Sequence, residues 1–135
     1  MIKIFLFALG LLSVRCISRF LIVRSRRKLT SKELACSFGC DEVGMHALYL
    51  ISEMYSIDQG YIRPDDSFCG DSLLVKYDSW SFNYGYNELE DYVARNGGKL
   101  NCKWNVADFV KWYESNVGHK QSFCMSPDGP PRCEL

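Results

Sequence analysis

The chain has 135 residues, a length typical of one domain, and its 47% hydrophobic and 14% aromatic content is enough for a core, which excludes global disorder. The 16 basic and 16 acidic residues cancel overall, but residues 1–32 carry eight basic residues and no acid. Residues 33–135 therefore hold eight basic against sixteen acidic residues, a net charge of −8. Such a domain repels a phosphate backbone, which argues against nucleic-acid binding and favours basic protein partners.

The N-terminal segment, residues 1–32, is basic and apolar. Its weakly polar or apolar run covers residues 4–14, which is shorter than the roughly 20 residues that a bilayer span requires. Extending the run to Val23 reaches that length but includes Arg15 and Arg19. These two arginines are four residues apart, so a helix would place them on one face.

A basic cluster at residues 24–28 follows, and three interpretations of the segment stay open. As a single-pass anchor it would keep the cluster in the cytoplasm, so that the domain is cytoplasmic, tethered to the inner membrane and in membrane contact through residues 4–28. As a secretory signal peptide it has a suitable apolar length, but no small-residue cleavage site follows. As an Arg-rich, acid-free segment it also resembles an organellar leader, or an extension from a start codon assigned too early.

The seven cysteines are odd in number and irregularly spaced, which is typical of reduced thiols and not of a disulfide framework. Cys36 and Cys40 have the spacing of half a zinc site, but no second closely spaced pair completes it. We therefore predict no metal site.

Helix signals recur along the domain. Thr30 and Glu33 form a capping-box pattern before a short helix, and Asp41 precedes an apolar stripe that continues to Ile57. Asn87 and Asn105 are predicted N-caps of helices over residues 88–95 and 106–116. His46 lies beside the apolar stripe of the first long helix and is interpreted as a structural or solvent-facing histidine.

The segment 73–86 gives a different signal. Aromatic residues occupy every second position at Trp80, Phe82, Tyr84 and Tyr86, which is the period of a strand. Because the other signals are helical, the predicted fold is mainly α. We expect a small helical bundle with a short β-hairpin or extended segment near residues 73–86. The domain is expected over residues 33–118, and residues 119–135 are expected to form a flexible tail.

No sequence pattern indicates an enzyme. The chain has no phosphate loop, no dinucleotide-binding glycine pattern and no zinc-protease helix. No cysteine and histidine are paired in sequence, and the carboxylates are scattered as on a solvated surface. We predict a protein without catalytic activity.

The order of elements resembles that of acyl carrier proteins over residues 42–117. A loop at residues 62–68 leads to Asp78-Ser79-Trp80, then to an acidic helix at residues 87–93 and a final helix at residues 105–113. The family is a small acidic helical bundle whose Asp-Ser-Leu motif opens the second helix. Its serine carries a 4′-phosphopantetheine arm.

The resemblance implies that Ser79, with Asp78 beside it, holds the arm. Ser72 is the second choice, because Gly70-Asp71-Ser72-Leu73 matches the motif more closely but lies further from the acidic helix. Trp80 replaces the motif leucine, and the strand period after Ser79 departs from the family. A helix beginning at Ser79 would favour a carrier, whereas a hairpin would exclude one.

The partner surface implied by the resemblance is acidic. Glu88, Glu90, Asp91 and Trp80 would bind basic patches on partner proteins, whether the domain is an armed carrier or a degenerate one that acts as a protein-binding module. Two other hypotheses remain. One is a small acidic interaction protein of the immunity or adaptor type, and the other is a membrane-tethered accessory protein.

Overall fold

The computed structural model describes residues 2–118, and within them the chain forms six α-helices and no β-strand. The predicted mainly-α helical bundle is confirmed. The helices are α1 (Ile2–Arg24), α2 (Ser31–Phe38), α3 (Glu42–Tyr55), α4 (Leu73–Ser79), α5 (Tyr84–Arg95) and α6 (Val106–Tyr113), and α6 continues into a π-helical turn at Glu114–Gly118. The predicted tail at residues 119–135 lies outside the described residues.

Helix α3 is the centre of the bundle, because it packs against both α5 and α6. Its fully buried side chains Ala47, Leu48 and Ile51 recur at helical spacing. Together with apolar residues of α4, α5 and α6 they form one continuous core. The core also contains Ile62 and Phe68 from the connection between α3 and α4.

Three helix starts lie where the capping patterns predict them. Thr30 and Glu33 form a complete capping box at α2, and Asn105 and Asp108 form another at α6. The carboxylate of Asp41 accepts the backbone N–H groups of the first turn of α3. Each side chain satisfies backbone donors that the first helical turn leaves without partners.

The strand or hairpin expected near residues 73–86 is not found, which corrects the prediction. Residues 73–79 form α4, and α5 begins at Tyr84 rather than after Asn87. Of the alternating aromatics, Trp80 and Phe82 lie in the tight turn between these helices, where Phe82 is 93% exposed, and Tyr84 and Tyr86 belong to the first turn of α5. A strand-like alternation misleads here because the rings do not share one buried face.

The connection between α3 and α4 has little regular structure but is well fixed. It starts with Ser56 in the left-handed region at φ 52°, passes a 3-10 turn at Gln59–Tyr61 and holds Asp66 in a buried position. The backbone N–H of Val106 donates to the carbonyl oxygen of Asp66 at 2.9 Å. This bond ties the loop to the start of α6.

Candidate functional site

Helix α1 is long and apolar enough to cross a membrane, a property that a signal sequence shares. Its two halves differ in environment. Every residue from 2 to 14 is exposed, whereas half-buried residues recur every three or four positions from Arg15 to Arg26. This half-buried stripe consists of Arg15, Ser18, Arg19, Ile22, Val23 and Arg26.

The stripe lies against α4, and the two helices run in opposite directions. Ile22 and Arg26 of the stripe line one recess together with Leu73 and Lys76 of α4. Further along, the guanidinium of Arg19 lies 4.4 Å from the ring centroid of Tyr77, near the end of α4. The C-terminal half of α1 is therefore docked on the domain, and the N-terminal half projects away from these contacts.

The strongest contact between the basic segment and the domain is an ion pair of Arg26 with Asp66. The guanidinium donates two hydrogen bonds to the carboxylate, at 2.7 and 2.6 Å. Asp66 is only 3% exposed and also accepts the backbone N–H of Arg63 at 2.8 Å. The hydrogen bond with Asp66 raises the pKa of Arg26 above its usual value. A bidentate pair of this kind fixes the distance and the orientation of both partners.

Two further contacts continue this attachment. The ammonium of Lys28 lies 2.6 Å from the carboxylate of Asp58, and the backbone N–H of Leu29 donates to the carbonyl oxygen of Gly60 at 2.9 Å. The sequence predicts a basic cluster at residues 24–28 and a domain boundary after residue 32. That boundary remains a prediction, although residues 26–29 already contact the domain.

Arg15 and Arg19 converge on one acceptor, the hydroxyl oxygen of Ser81. Arg15 donates to it at 2.9 Å, and Arg19 donates to the same oxygen. Neither arginine forms an ion pair with any carboxylate in residues 2–118, and Nε of Arg19 is buried without a hydrogen-bond partner there. The sequence placed these arginines on one helix face, and the structure adds the partner they share.

The turn of residues 80–84, which follows α4, carries three exposed aromatic rings. Trp80 is 39% exposed, Phe82 93% and Tyr84 60%. Phe82 and Asn83 both adopt left-handed backbone at φ 56° and 60°, a conformation that asparagine tolerates but that costs Phe82 free energy. The turn therefore displays apolar surface to solvent while its backbone is held in an unfavourable region.

Asp78 fixes the geometry of this turn from within. Its two carboxylate oxygens accept the backbone N–H groups of Gly85 and Tyr86, each at 2.9 Å, and the side chain is buried. Asn83 precedes α5 but makes no side-chain cap bond. Asp78, which lies on α4, thus caps α5. The sequence does not reveal this role, because only the turn brings Asp78 close to Gly85 and Tyr86.

The serines singled out from the sequence lie at opposite ends of α4. Ser79 is the last residue of α4 and is exposed, with its hydroxyl donating to the carbonyl oxygen of Lys76 at 2.7 Å. Ser72 is the N-cap, accepting the backbone N–H of Val75 at 3.3 Å and donating to the carbonyl oxygen of Ser67. The helix that would favour a carrier if it began at Ser79 ends at that residue, and Ser72 is at its start.

The predicted partner-binding residues are divided between two elements. Glu90 and Asp91 are exposed and Glu88 is half-buried on α5, whose opposite side buries Leu89 and Val93. None of these three acids forms an ion pair within residues 2–118. Trp80 lies outside α5, on the preceding turn.

A cleft of about 370 Å³ lies beside the start of α5. Its lining includes Tyr55, Asp78 and Cys69, and burial raises the pKa of both Tyr55 and Cys69. The hydroxyl of Tyr55 is buried without a hydrogen-bond partner in the described part of the chain. Both carboxylate oxygens of Asp78 accept backbone N–H groups of α5, so this side chain has a structural role at the edge of the cleft.

The described residues 2–118 bring no three His, Cys, Asp or Glu side chains together in a way that would hold a metal ion. The five cysteines within them are free thiols.

Comparison of the chain with protein-family models, with curated proteins and with solved structures finds no match.

Proposed function

We propose that this protein is a membrane-tethered accessory protein, in which α1 holds an acidic helical domain at a bilayer. One observation carries the proposal. Residues 2–14 of α1 are exposed and, apart from Lys3 and Ser13, apolar, whereas the other end of the segment is fixed to the domain by the ion pair of Arg26 with Asp66. A fully exposed apolar helix is unfavourable in water and favourable in lipid.

The basic residues of α1 and the cluster after it determine the proposed orientation. Arg24 and Arg27 are exposed, and Lys28 lies in the same cluster. By the positive-inside rule, such a cluster stays on the cytoplasmic side of the membrane. The domain would then be cytoplasmic and tethered to the inner membrane.

Fractionation of cells that express the full chain tests the tether. We expect the protein to stay in the membrane pellet after an alkaline wash, and its intact mass to show that α1 is retained. The double substitution Leu6→Asp and Leu9→Asp should move it to the soluble fraction. Lys111→Glu, an equal change of charge at an exposed position of α6, should leave it in the pellet. Release of the unaltered protein by the wash, or loss of α1 by cleavage, would contradict the tether.

Orientation is tested with a membrane-impermeant maleimide, because Cys36 and Cys102 are exposed on the domain. A cytoplasmic domain should be labelled only after the cells are lysed. Labelling in intact cells would show that the domain faces outward.

The activity proposed for the tethered domain is binding of a basic protein surface, without catalysis. Its support is the exposed acidic side of α5, where Glu90 and Asp91 have no ion-pair partner in the described residues. Exposed unpaired charges of one sign steer association with the opposite sign.

Pull-down from detergent-solubilised membranes tests this binding. A stoichiometric basic partner should be retained by the unaltered protein and lost with Asp91→Lys. Glu53→Lys, the same reversal at an exposed position of α3, should retain it. Equal recovery with both variants would exclude the acidic side of α5 as the binding surface.

A carrier function is a second candidate, and the observation that favours it is the position of Ser72 at the start of α4. This is where the resemblance expects the arm-bearing serine, and Asp71 precedes it. Ser79, the first choice from the sequence, remains the alternative. Intact mass after co-expression with a phosphopantetheinyl transferase should show the added arm, lost with Ser72→Ala and kept with Ser79→Ala. An unchanged mass would exclude an armed carrier.

A further inference from the structure

We propose that the turn of residues 80–84 is a second membrane contact, which lies in the interfacial layer of the bilayer and limits how deeply α1 enters. This inference rests on the proposed tether. It concerns the domain surface around Trp80, Phe82 and Tyr84.

The position of the turn along α1 is given by the hydrogen bonds of Ser81. Because Arg15 and Arg19 both donate to the Ser81 hydroxyl, the turn lies level with the middle of α1. On one side of this level are the docked residues 15–26, and on the other side are the exposed residues 2–14. The exposed aromatics therefore stand at the boundary where the free apolar half of α1 begins.

The free half of α1 is shorter than the hydrocarbon core of a bilayer is thick. At 1.5 Å per residue, residues 2–14 extend for about 20 Å, less than the roughly 30 Å of a hydrocarbon core. While α1 stays docked on α4, the helix cannot enter further without carrying the turn and the domain into the membrane. The turn would therefore come to rest where the apolar core meets the headgroups.

The residues at this level have the chemistry of that layer. Tryptophan and tyrosine are enriched at membrane interfaces, because their rings are apolar and their N–H or O–H groups remain hydrated. Phe82, at 93% exposure, adds an apolar side chain with no cover in the domain. Arg15 and Arg19 have no carboxylate partner among the described residues, so their guanidinium groups are suited to lipid phosphates.

Lipid is the occupant because the aromatic turn is continuous with the free half of α1. A protein partner placed on the turn alone would leave residues 2–14 exposed to water. A bilayer covers both surfaces at once, and its phosphates lie at the depth of the two arginines. The backbone strain at Phe82 is then tolerated at a position that displays its ring to lipid.

Tryptophan quenching in vesicles tests the contact. The full chain is reconstituted in vesicles of phosphatidylcholine and phosphatidylglycerol that carry bromine on the acyl chains, and attachment is measured separately by flotation. We expect fluorescence to be quenched, and most of the quenching to disappear with Trp80→Phe. Trp104 and Trp112, which pack on each other with ring centroids 6.3 Å apart, remain as internal references.

A second variant keeps the test independent of folding. Phe82→Asn with Tyr84→Gln should reduce the quenching of Trp80, and asparagine suits the left-handed backbone at position 82, so the fold is retained. Tyr49→Gln, which replaces an exposed aromatic residue of α3, should leave the quenching of Trp80 unchanged. If the protein floats with the vesicles but Trp80→Phe leaves the quenching unchanged, the membrane contact of the turn is overturned and the tether stands. If the protein does not float with the vesicles, both the tether and the membrane contact of the turn are overturned.

Discussion

The carboxylate of Asp78 accepts the backbone N–H of Gly85 at 2.9 Å, so that a residue near the end of α4 caps the first turn of α5. The two helices pack closely at Gly85, because an added Cβ there would lie 2.8 Å from Cγ of Tyr55 and 3.0 Å from Oδ1 of Asp78. The turn of residues 80–84 is therefore held at both of its ends, and its exposed rings have a fixed position.

Asp78→Ala should lower the free energy of unfolding by about 2–4 kcal/mol, because it leaves two N–H groups of α5 without acceptors in a buried position. Urea denaturation of the full chain in mild detergent, followed by circular dichroism, measures the change. Ser79→Ala is the control, since its exposed hydroxyl bonds only within α4, and it should change the value by less than about 0.5 kcal/mol. Equal effects of the two variants would refute the capping role.

Arg26→Leu should destabilise the protein by about 2–3 kcal/mol, because it leaves the buried carboxylate of Asp66 without its cation. The matched control is Arg27→Leu. Arg27 pairs with Glu33 at the surface, where an ion pair contributes less than about 1 kcal/mol. The same denaturation experiment compares them, and a larger loss from Arg27→Leu would show that the Arg26 contact does not hold the segment to the domain.

Tyr55→Phe should raise the free energy of unfolding by about 1 kcal/mol, because it removes a buried hydroxyl that has no hydrogen-bond partner in the described residues. Tyr113→Phe should have the opposite effect at neutral pH, since the Tyr113 hydroxyl lies 2.7 Å from Nδ1 of His46. Thermal denaturation at pH 7 distinguishes the two variants. A destabilised Tyr55→Phe protein would mean that this hydroxyl has a partner in solution.

The raised pKa values of Tyr55 and Tyr113 predict that the protein loses stability in alkali. Burial raises the pKa of Tyr55 above its usual range and that of Tyr113 to about 12. A tyrosine whose pKa is raised in the folded state contributes stability below its unfolded pKa of about 10, and this is lost as the pH rises toward the folded value. Stability measured from pH 8 to 11 should decline above about pH 10, and less steeply with Tyr55→Phe. Parallel curves would contradict the prediction.

Two carboxylates predict a loss of stability in acid. The backbone N–H of Thr30 lowers the pKa of Glu33, and the ammonium of Lys28 lowers that of Asp58. A lowered folded pKa contributes stability above the unfolded values of about 4, which is lost as the pH falls through the folded pKa. Glu33→Gln with Asp58→Asn should therefore flatten the decline measured between pH 5 and 2. An unchanged slope would show that neither carboxylate contributes to it.

Local sequence signals predicted most of the helices. The caps at Thr30, Asp41 and Asn105 and the apolar stripes behind them identify α2, α3 and α6, because a cap and a stripe depend only on neighbours a few residues apart. The segment 73–86 was predicted wrongly because Trp80 and Phe82 are exposed on a turn, whereas Tyr84 and Tyr86 already belong to α5. An alternation of aromatic residues in the sequence does not show whether their rings share a buried face.

The sequence by itself determined the mainly helical fold, the split between a basic segment and an acidic domain, and the length of the apolar run. Tertiary structure alone decided that Arg26 reaches a buried Asp66, that Asp78 caps α5, and that Arg15 meets Ser81. The physical reason is distance along the chain. The contacts of Arg26 and Arg15 join residues 40 and 66 positions apart, and whether a charge there is solvated or buried depends on packing that no local pattern encodes.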